Sequence, residues 1–382
     1  MKGKLSLISR LLLGAVLVLL AGCVEPFNPK VKNASANLLV VDGFINSQGV
    51  STIKLSRTIN LDVNRLPPPE PRAVVFIEAE GGAQYNLTEG LPGTYSSPAL
   101  TLDPGKKYRL RFTTAAGKVY ASDFVAVKTT PEIDRVSWEA LPTGLQLSVS
   151  THDPQNQTRY YRWDYDETWE FTSAFNAYLE WRNNQVQRRT DNIYRCWTSE
   201  KSTPIRLGNS LRLTQDVIAN QPLAVLPPNS LKLRYKYTVN VRQYAQSAEE
   251  YAYWDNLRKN TENIGTLFDP LPSQLTGNVR SLSNADEPVI GYVGAFSVAE
   301  KRLFITRGEL PRSWDPLTGY EDCIDIDTVL VRDMPDIFGG GNYVPLEPLY
   351  NFRNQIWAYQ AAVTDCVDCR RRGTNVQPPF WQ

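Results

Sequence analysis

The sequence predicts a mainly β protein, in which an N-terminal immunoglobulin-like β-sandwich precedes a larger β-rich domain with one or two helices. Three observations support this fold class. Many short segments alternate between apolar and polar residues, as half-buried strands do. The 26 prolines and 23 glycines are spread along the chain and separate these segments. One segment carries a clear helix start.

The N-terminal segment is expected to export and tether the protein. Basic residues precede an uncharged apolar run, Leu11–Ala21, which is shorter than a bilayer span and suits a signal peptide. The run ends in LAGC, a match to the bacterial lipobox, so Cys23 is predicted to carry fatty acyl chains such as palmitate once residues 1–22 are removed. Residues 23–36 would then form a lipidated tether. The alternative is an ordinary secretory signal that happens to contain a cysteine.

Residues 37–129 are predicted to form the immunoglobulin-like sandwich. Leu38–Ile45 and Ser51–Arg57 read as strands joined by the turn NSQG, and AVVFIEAEGG contains another strand. The clearest hairpin lies within residues 106–127, where two alternating arms flank an Ala-Ala-Gly turn. About seven short strands in roughly 90 residues match the size of such a sandwich.

Residues 131–382 are predicted to form the larger β-rich domain. Alternation continues in GLQLSVSTHD, in TRYYRWDYDETWEF and in Lys232–Ala245. Ser247 and Glu250 form a capping box, so a packed helix is expected near residues 247–263, with Gly265 as its stop. The C-terminal tail carries cysteines.

Four cysteines follow the predicted lipidation site: Cys196, Cys323, Cys366 and Cys369. An even number in an exported chain favours disulfides over a zinc site or a redox motif. Zinc is further disfavoured because the chain has one histidine and one Cys-x-x-Cys. Three pairings remain open, of which Cys196 with Cys323 and Cys366 with Cys369 is the one favoured.

Charge and composition exclude several classes of function. The 41 basic and 40 acidic residues give a net charge of +1, so a nucleic-acid binder is not expected. A nucleophilic triad would have to use His152, which lies in a predicted turn. No cofactor, metal or catalytic residue is predicted, and the protein is expected not to be an enzyme. A carboxylate-based hydrolase is the least favoured alternative.

The segment Tyr160–Trp181 contains nine aromatic residues in 22 positions. Alternation places aromatic residues on one strand face, and Arg162, Asp164 and Asp166 on the other. One interpretation is a row of core aromatics beneath a solvated polar face. The other is a binding surface, since aromatic anchors beside charged residues are typical of interfaces and sugar platforms. The residues of this candidate surface are Tyr161, Trp163, Tyr165, Trp169 and Trp181.

The chain resembles a family of Bacteroidota outer-membrane lipoproteins known as domain of unknown function 4249. The resemblance rests on CVEPF, LLVVDGFI, YYRWDYDETW, LRYKYTVNVRQYA, EPVIGYVGAFSV and the terminal CVDCRRRGTNVQPPFW, and it covers nearly the whole mature chain. It implies no enzyme activity. It does imply a role beside TonB-dependent β-barrel transporters of the outer membrane.

The sequence therefore predicts a non-enzymatic protein, lipid-anchored in the outer membrane, that acts as an accessory or ligand-capturing partner of a TonB-dependent transporter. Cell-surface display is favoured over the periplasmic leaflet. The ligand would be a glycan or a peptide. The alternative function is a glycan-binding surface lipoprotein that uses the aromatic segment at residues 160–181.

Overall fold

The computed structural model describes residues 37–59, 66–262 and 277–381. Within them the chain forms 25 strands and three α-helices, so the prediction of a mainly β fold is confirmed. Leu38–Gln382 form one compact unit, and the predicted domain boundary near residue 130 stays a prediction. The predicted signal peptide, the predicted acylation site Cys23 and Gly265 lie outside the described residues.

Eight of the first nine strands belong to one ten-stranded sheet, and the exception is β2. The apolar residues that alternate along these strands face a common core. They are β1 (Leu39–Gly43), β2 (Ile45–Asn46), β3 (Gln48–Arg57), β4 (Val74–Ala79), β5 (Gln84–Glu89), β6 (Thr94–Thr101), β7 (Lys107–Thr113), β8 (Val119–Ser122) and β9 (Val125–Ala126). The predicted hairpin is β7 and β8. Leu39, Ile77 and Phe112 are fully buried in this first core.

The middle of the chain forms a second core between two sheets, one of order β10-β11-β17 and one of order β15-β12-β18-β22, with β16 paired to β12. Its strands are β10 (Ile133–Leu141), β11 (Gly144–His152), β12 (Tyr160–Thr172), β13 (Leu179–Arg182), β14 (Gln185–Arg188), β15 (Arg195–Lys201), β16 (Arg206–Asn209), β17 (Val217–Leu226) and β18 (Lys236–Gln246). Strand β12 runs for 13 residues and supplies the central aromatic row of this core.

The last strands complete both halves of the molecule. They are β19 (Val279–Ser281), β20 (Val289–Ile290), β21 (Ala295–Phe296), β22 (Val298–Thr306), β23 (Asp327–Leu330), β24 (Tyr343–Tyr350) and β25 (Ile356–Val363). Strand β19 pairs with β8, and β20 pairs in parallel with β1, so the first sheet ends at both edges in late residues. Strands β23, β25 and β24 form a separate small sheet near the C-terminus.

The helices are α1 (Ala248–Glu262), α2 (Met334–Gly339) and α3 (Thr364–Val367). Helix α1 confirms the prediction of a helix near residues 247–263. The Ser247 hydroxyl accepts a hydrogen bond from the Glu250 backbone N–H at 3.1 Å, which is the serine half of the predicted capping box.

Two disulfides form, but the favoured pairing was wrong. The bonds are Cys196–Cys369 and Cys323–Cys366, with Cα–Cα distances of 5.8 and 5.7 Å. Cys366 lies in α3, whereas the Cys369 N–H donates to the Ile193 carbonyl and thereby sits beside β15. The two cysteines of the Cys-x-x-Cys therefore bond to different partners, and the tail is attached at two places.

Candidate functional site

A pocket of about 290 Å³ lies where three segments distant in sequence meet. One is the stretch from Asp123 to Lys128, the second is the start of α1, and the third runs from Asn278 to Ala295. The first segment contains β9, and the third contains β19 and β20, all of which pair within the ten-stranded sheet. The pocket therefore lies where that sheet meets helix α1.

Asn278, which is 4% exposed, stabilises the third wall of the pocket, the wall formed by residues 278–295. Its amide nitrogen donates to the Val293 carbonyl at 3.0 Å, and its amide oxygen accepts from the Val293 N–H at 2.8 Å. This pair of bonds holds the Val293 backbone against Asn278, the residue that precedes β19. Two buried polar groups are thereby satisfied, as an enclosed wall requires.

Glu250 is the buried acid of the pocket, since only 4% of the residue is exposed. Its carboxylate lies against Gly294, which leaves room for it because glycine has no β-carbon. Burial raises the pKa of Glu250 to about 7, although Arg162, Trp254 and Gln246 each act to lower it. The acid therefore changes charge near neutral pH, unlike an exposed glutamate.

Arg162 lies close enough to Glu250 to lower its pKa and is placed between two aromatic rings. Its guanidinium is 4.3 Å from the centre of the Tyr244 ring and 4.4 Å from that of Trp254, a cation–π arrangement. Asp164 lies 3.7 Å from the same guanidinium and also accepts hydrogen bonds from Tyr244 and Arg242. The polar face of β12 thus supplies a fixed positive charge near Glu250.

The mouth of the pocket carries further charges. Glu249 is exposed, and its own backbone N–H and the Ser247 hydroxyl lower its pKa. Lys128 is half-buried and lines the same pocket. Asp123 is exposed, 3.8 Å from Arg280. Carboxylates therefore outnumber the single lysine among the lining residues.

The Trp254 and Gln246 side chains approach the Glu250 carboxylate closely enough to lower its pKa. Within the part of the chain that the structure describes, however, neither the indole N–H of Trp254 nor the amide of Gln246 makes a hydrogen bond of good geometry. Gln246 is 2% exposed, so an unsatisfied amide there costs stability in the absence of water or ligand. The surroundings of Glu250 thus hold unused hydrogen-bonding capacity.

The predicted aromatic binding surface was wrong for four of its five residues. Tyr161, Trp163, Tyr165 and Trp169 are at most 5% exposed, because the sheet β10-β11-β17 covers their face of β12. The Trp163 indole donates to Gln243 at 2.8 Å, and the Tyr161 hydroxyl donates to Asp216. Trp181 lies apart on β13, half-buried, with its ring 5.9 Å from that of Phe338. The aromatic row of β12 therefore belongs to the core, as the first of the two interpretations stated.

His152 lies on the surface at the end of β11, and its side chain is 51% exposed. Its Nδ1 is 2.8 Å from Asp134, and this contact raises the pKa of the imidazole. The structure therefore gives the histidine a surface ion-pair partner. Among the described residues, no three His, Cys, Asp or Glu side chains lie together in a way that could hold a metal ion.

Sequence reasoning missed the pocket, although it used one of its residues. Glu250 was assigned to the start of a helix, and nothing in the local pattern shows that its carboxylate turns to Gly294. The glycines of GYVGAF offered the only signal, because isolated glycines in a strand pattern often mark a close approach.

The fold and the pocket define a mainly β, disulfide-bonded protein with a small cavity, lined by both apolar and charged residues, beside one long helix. The sequence matches the profile of the family described as domain of unknown function (DUF4249) over residues 24–302. The chain belongs to that family. No curated protein matches the sequence. In the described part of the chain, no helix combines the length and the hydropathy needed to cross a membrane.

Proposed function

We propose that the protein is a lipid-anchored outer-membrane protein that captures a small ligand for a TonB-dependent β-barrel transporter and catalyses no reaction. The observation that carries this proposal is the LAGC lipobox that ends at Cys23 after an apolar run of signal-peptide length. Two or three acyl chains hold a protein firmly at a membrane. Confinement to a surface then raises its effective concentration near a membrane partner.

Ligand capture is assigned to the pocket beside α1. Its volume of about 290 Å³ is close to the lower limit of ligand sites, so the ligand is small. Glu249 and Glu250 line it together with Lys128, and this excess of carboxylates favours a ligand that carries an amine. A free amino group of a peptide fits this requirement.

The anchor and the partner are tested in outer membranes from the native host. Mass spectrometry of the mature N-terminus should find Cys23 as residue one with its acyl chains, and a Cys23→Ala variant should leave the membrane fraction. After crosslinking and detergent extraction, the wild-type protein should copurify with a β-barrel transporter. An unmodified thiol would refute the anchor, and recovery of the protein alone would refute the partnership.

The ligand site is tested by calorimetry at pH 8, where Glu250 is largely ionised. Amino-acid amides should bind, whereas their N-acetylated counterparts should not, because acetylation removes the positive charge. Glu250→Gln should weaken binding, while Glu262→Gln, a change at the exposed far end of the helix, serves as the matched control. Equal binding of both ligand forms, or no binding of either, would contradict the assignment.

A further inference from the structure

The hairpin of β24 and β25 ends in a group of exposed apolar side chains. Tyr350 is 55%, Phe352 93%, Ile356 41% and Trp357 45% exposed. Tyr350 and Ile356 are directly paired at the base of the connecting loop, so all four lie at one end of the small sheet. Ile356 and Trp357 are consecutive in β25 and therefore point to opposite faces, so the tip carries exposed apolar groups on both sides, and such groups often mark interaction sites.

The loop that carries Phe352 is an ordered turn. The Asn351 side-chain oxygen accepts hydrogen bonds from the Arg353 N–H at 2.9 Å and from the Gln355 N–H at 3.0 Å. The backbone adds bonds from Asn351 to Gln355 and from Asn354 to Asn351, both 2.9 Å. Phe352 is therefore held outward by a preformed loop, which lowers the entropic cost of binding.

The charge of the tip suits a lipid surface. Between Pro348 and Val363 the only charged residue is Arg353, and its guanidinium lies 5.3 Å from the centre of the Phe352 ring. Aromatic rings prefer the interface between headgroups and acyl chains, and arginine can reach phosphate while its stem stays among apolar groups. No carboxylate in this segment would be repelled by anionic lipid.

The size of the tip favours lipid over a protein partner. Each aromatic side chain can bury about 150–250 Å², so the exposed fractions amount to roughly 400 Å² of apolar area. A stable protein interface takes about 800 Å² from each partner. A narrow wedge of half that area fits insertion between lipids better than docking on a protein.

We propose that the hairpin tip of Tyr350, Phe352, Ile356 and Trp357 inserts into the interface of a lipid bilayer and forms a second membrane contact. This inference rests on the proposed function, since the lipid anchor brings the tip to a membrane. The tether of residues 23–36 spans at most about 50 Å when extended, which keeps the folded unit close to the surface.

The test uses the mature chain from residue 23 with Cys23→Ser, so that acyl chains play no part. Sedimentation with phosphatidylethanolamine–phosphatidylglycerol vesicles measures the partition coefficient. We expect wild type to bind, Phe352→Ser to bind about tenfold more weakly, and Arg353→Gln to bind these anionic vesicles more weakly but neutral phosphatidylcholine vesicles as well as wild type does. Leu91→Ser is the control, because Leu91 is 73% exposed but lies in the turn that connects β5 and β6, away from the small sheet.

Absence of vesicle binding, or an equal loss in Leu91→Ser, would overturn the proposal. Vesicle binding unchanged by Phe352→Ser would also overturn it, and if the same change in the acylated protein abolished crosslinking to a transporter, the tip would be assigned to a protein contact. Since no acyl chain is present, failure here is distinguishable from failure of the lipid anchor. Thermal melts confirm that each variant is folded, and Phe352 is exposed enough for its replacement to leave the fold intact.

Discussion

The Glu250 carboxylate packs against the backbone of Gly294, where a β-carbon would come within 2.8 Å of the Glu250 Cδ atom. Helix α1 is therefore in close contact with the backbone just before strand β21. This contact ties the charge of the pocket to the packing of its wall.

Gly294→Ala should destabilise the protein by about 1–3 kcal/mol, because the added methyl group must displace a buried carboxylate. Glu250→Ala in the same chain should relieve part of that loss, so the two changes should be non-additive by chemical denaturation. Gly90→Ala is the control, since an added β-carbon there meets nothing within 4 Å. If the two changes in unfolding free energy simply add, the residues at positions 250 and 294 are not in steric contact.

Stability should fall as pH rises from about 4.5 to 7, owing to Glu250. The folded state raises the pKa of this acid to about 7, so the folded protein holds a proton that the unfolded chain has already released. The stabilising effect is present at low pH and is lost as pH passes through the folded pKa. Its size is on the order of 3 kcal/mol at most.

Glu250→Gln should remove this slope, because glutamine does not titrate. The measurement is the free energy of unfolding in urea at a series of pH values, with Glu262→Gln as an exposed control. A Glu250→Gln curve parallel to that of wild type would show that Glu250 does not cause the slope.

The disulfide pairing predicts the outcome of peptide mapping without reduction. Digestion between Cys366 and Cys369, at Asp368, should release Cys369 joined to Cys196 and, separately, Cys366 joined to Cys323. A Cys369→Ser variant should lose about 2–4 kcal/mol of stability, since Cys196–Cys369 closes a loop of sequence separation 173. A fragment holding Cys366 bonded to Cys369 would contradict this pairing.

Trp163→Ala should cost about 3–5 kcal/mol, because the indole is 1% exposed and its N–H bonds to Gln243. Trp357→Ala should cost much less, since that ring is 45% exposed. Urea unfolding of the two variants gives the comparison. Similar losses for both would show that the aromatic row of β12 is not in the core.

The local elements were predictable because local patterns determine them. Alternation placed Tyr161 and Trp163 on one face of β12, and Ser247 marked the start of α1. The hairpin of β7 and β8 followed from its two alternating arms. In each case the evidence lies within a few residues of the element.

The long-range relationships were not predictable from one sequence. Alternation separates two faces of β12 but does not say that another sheet covers the aromatic one. The cysteine pairs depend on where the tail folds back, and the Cys369 N–H bond to Ile193 settles this. The pocket likewise gathers Lys128, Glu250 and Gly294 from segments far apart in the chain.

The parallel pairing of β20 with β1 sets an order of events during biosynthesis. Leu39 aligns with Val289, which is synthesised 250 positions later, roughly 10–50 s at ordinary rates of translation. Until then the β1 edge of the first sheet has open hydrogen-bonding groups, a hazard for aggregation in any crowded compartment. The β1 edge is therefore covered only when the second half of the chain has folded onto the first.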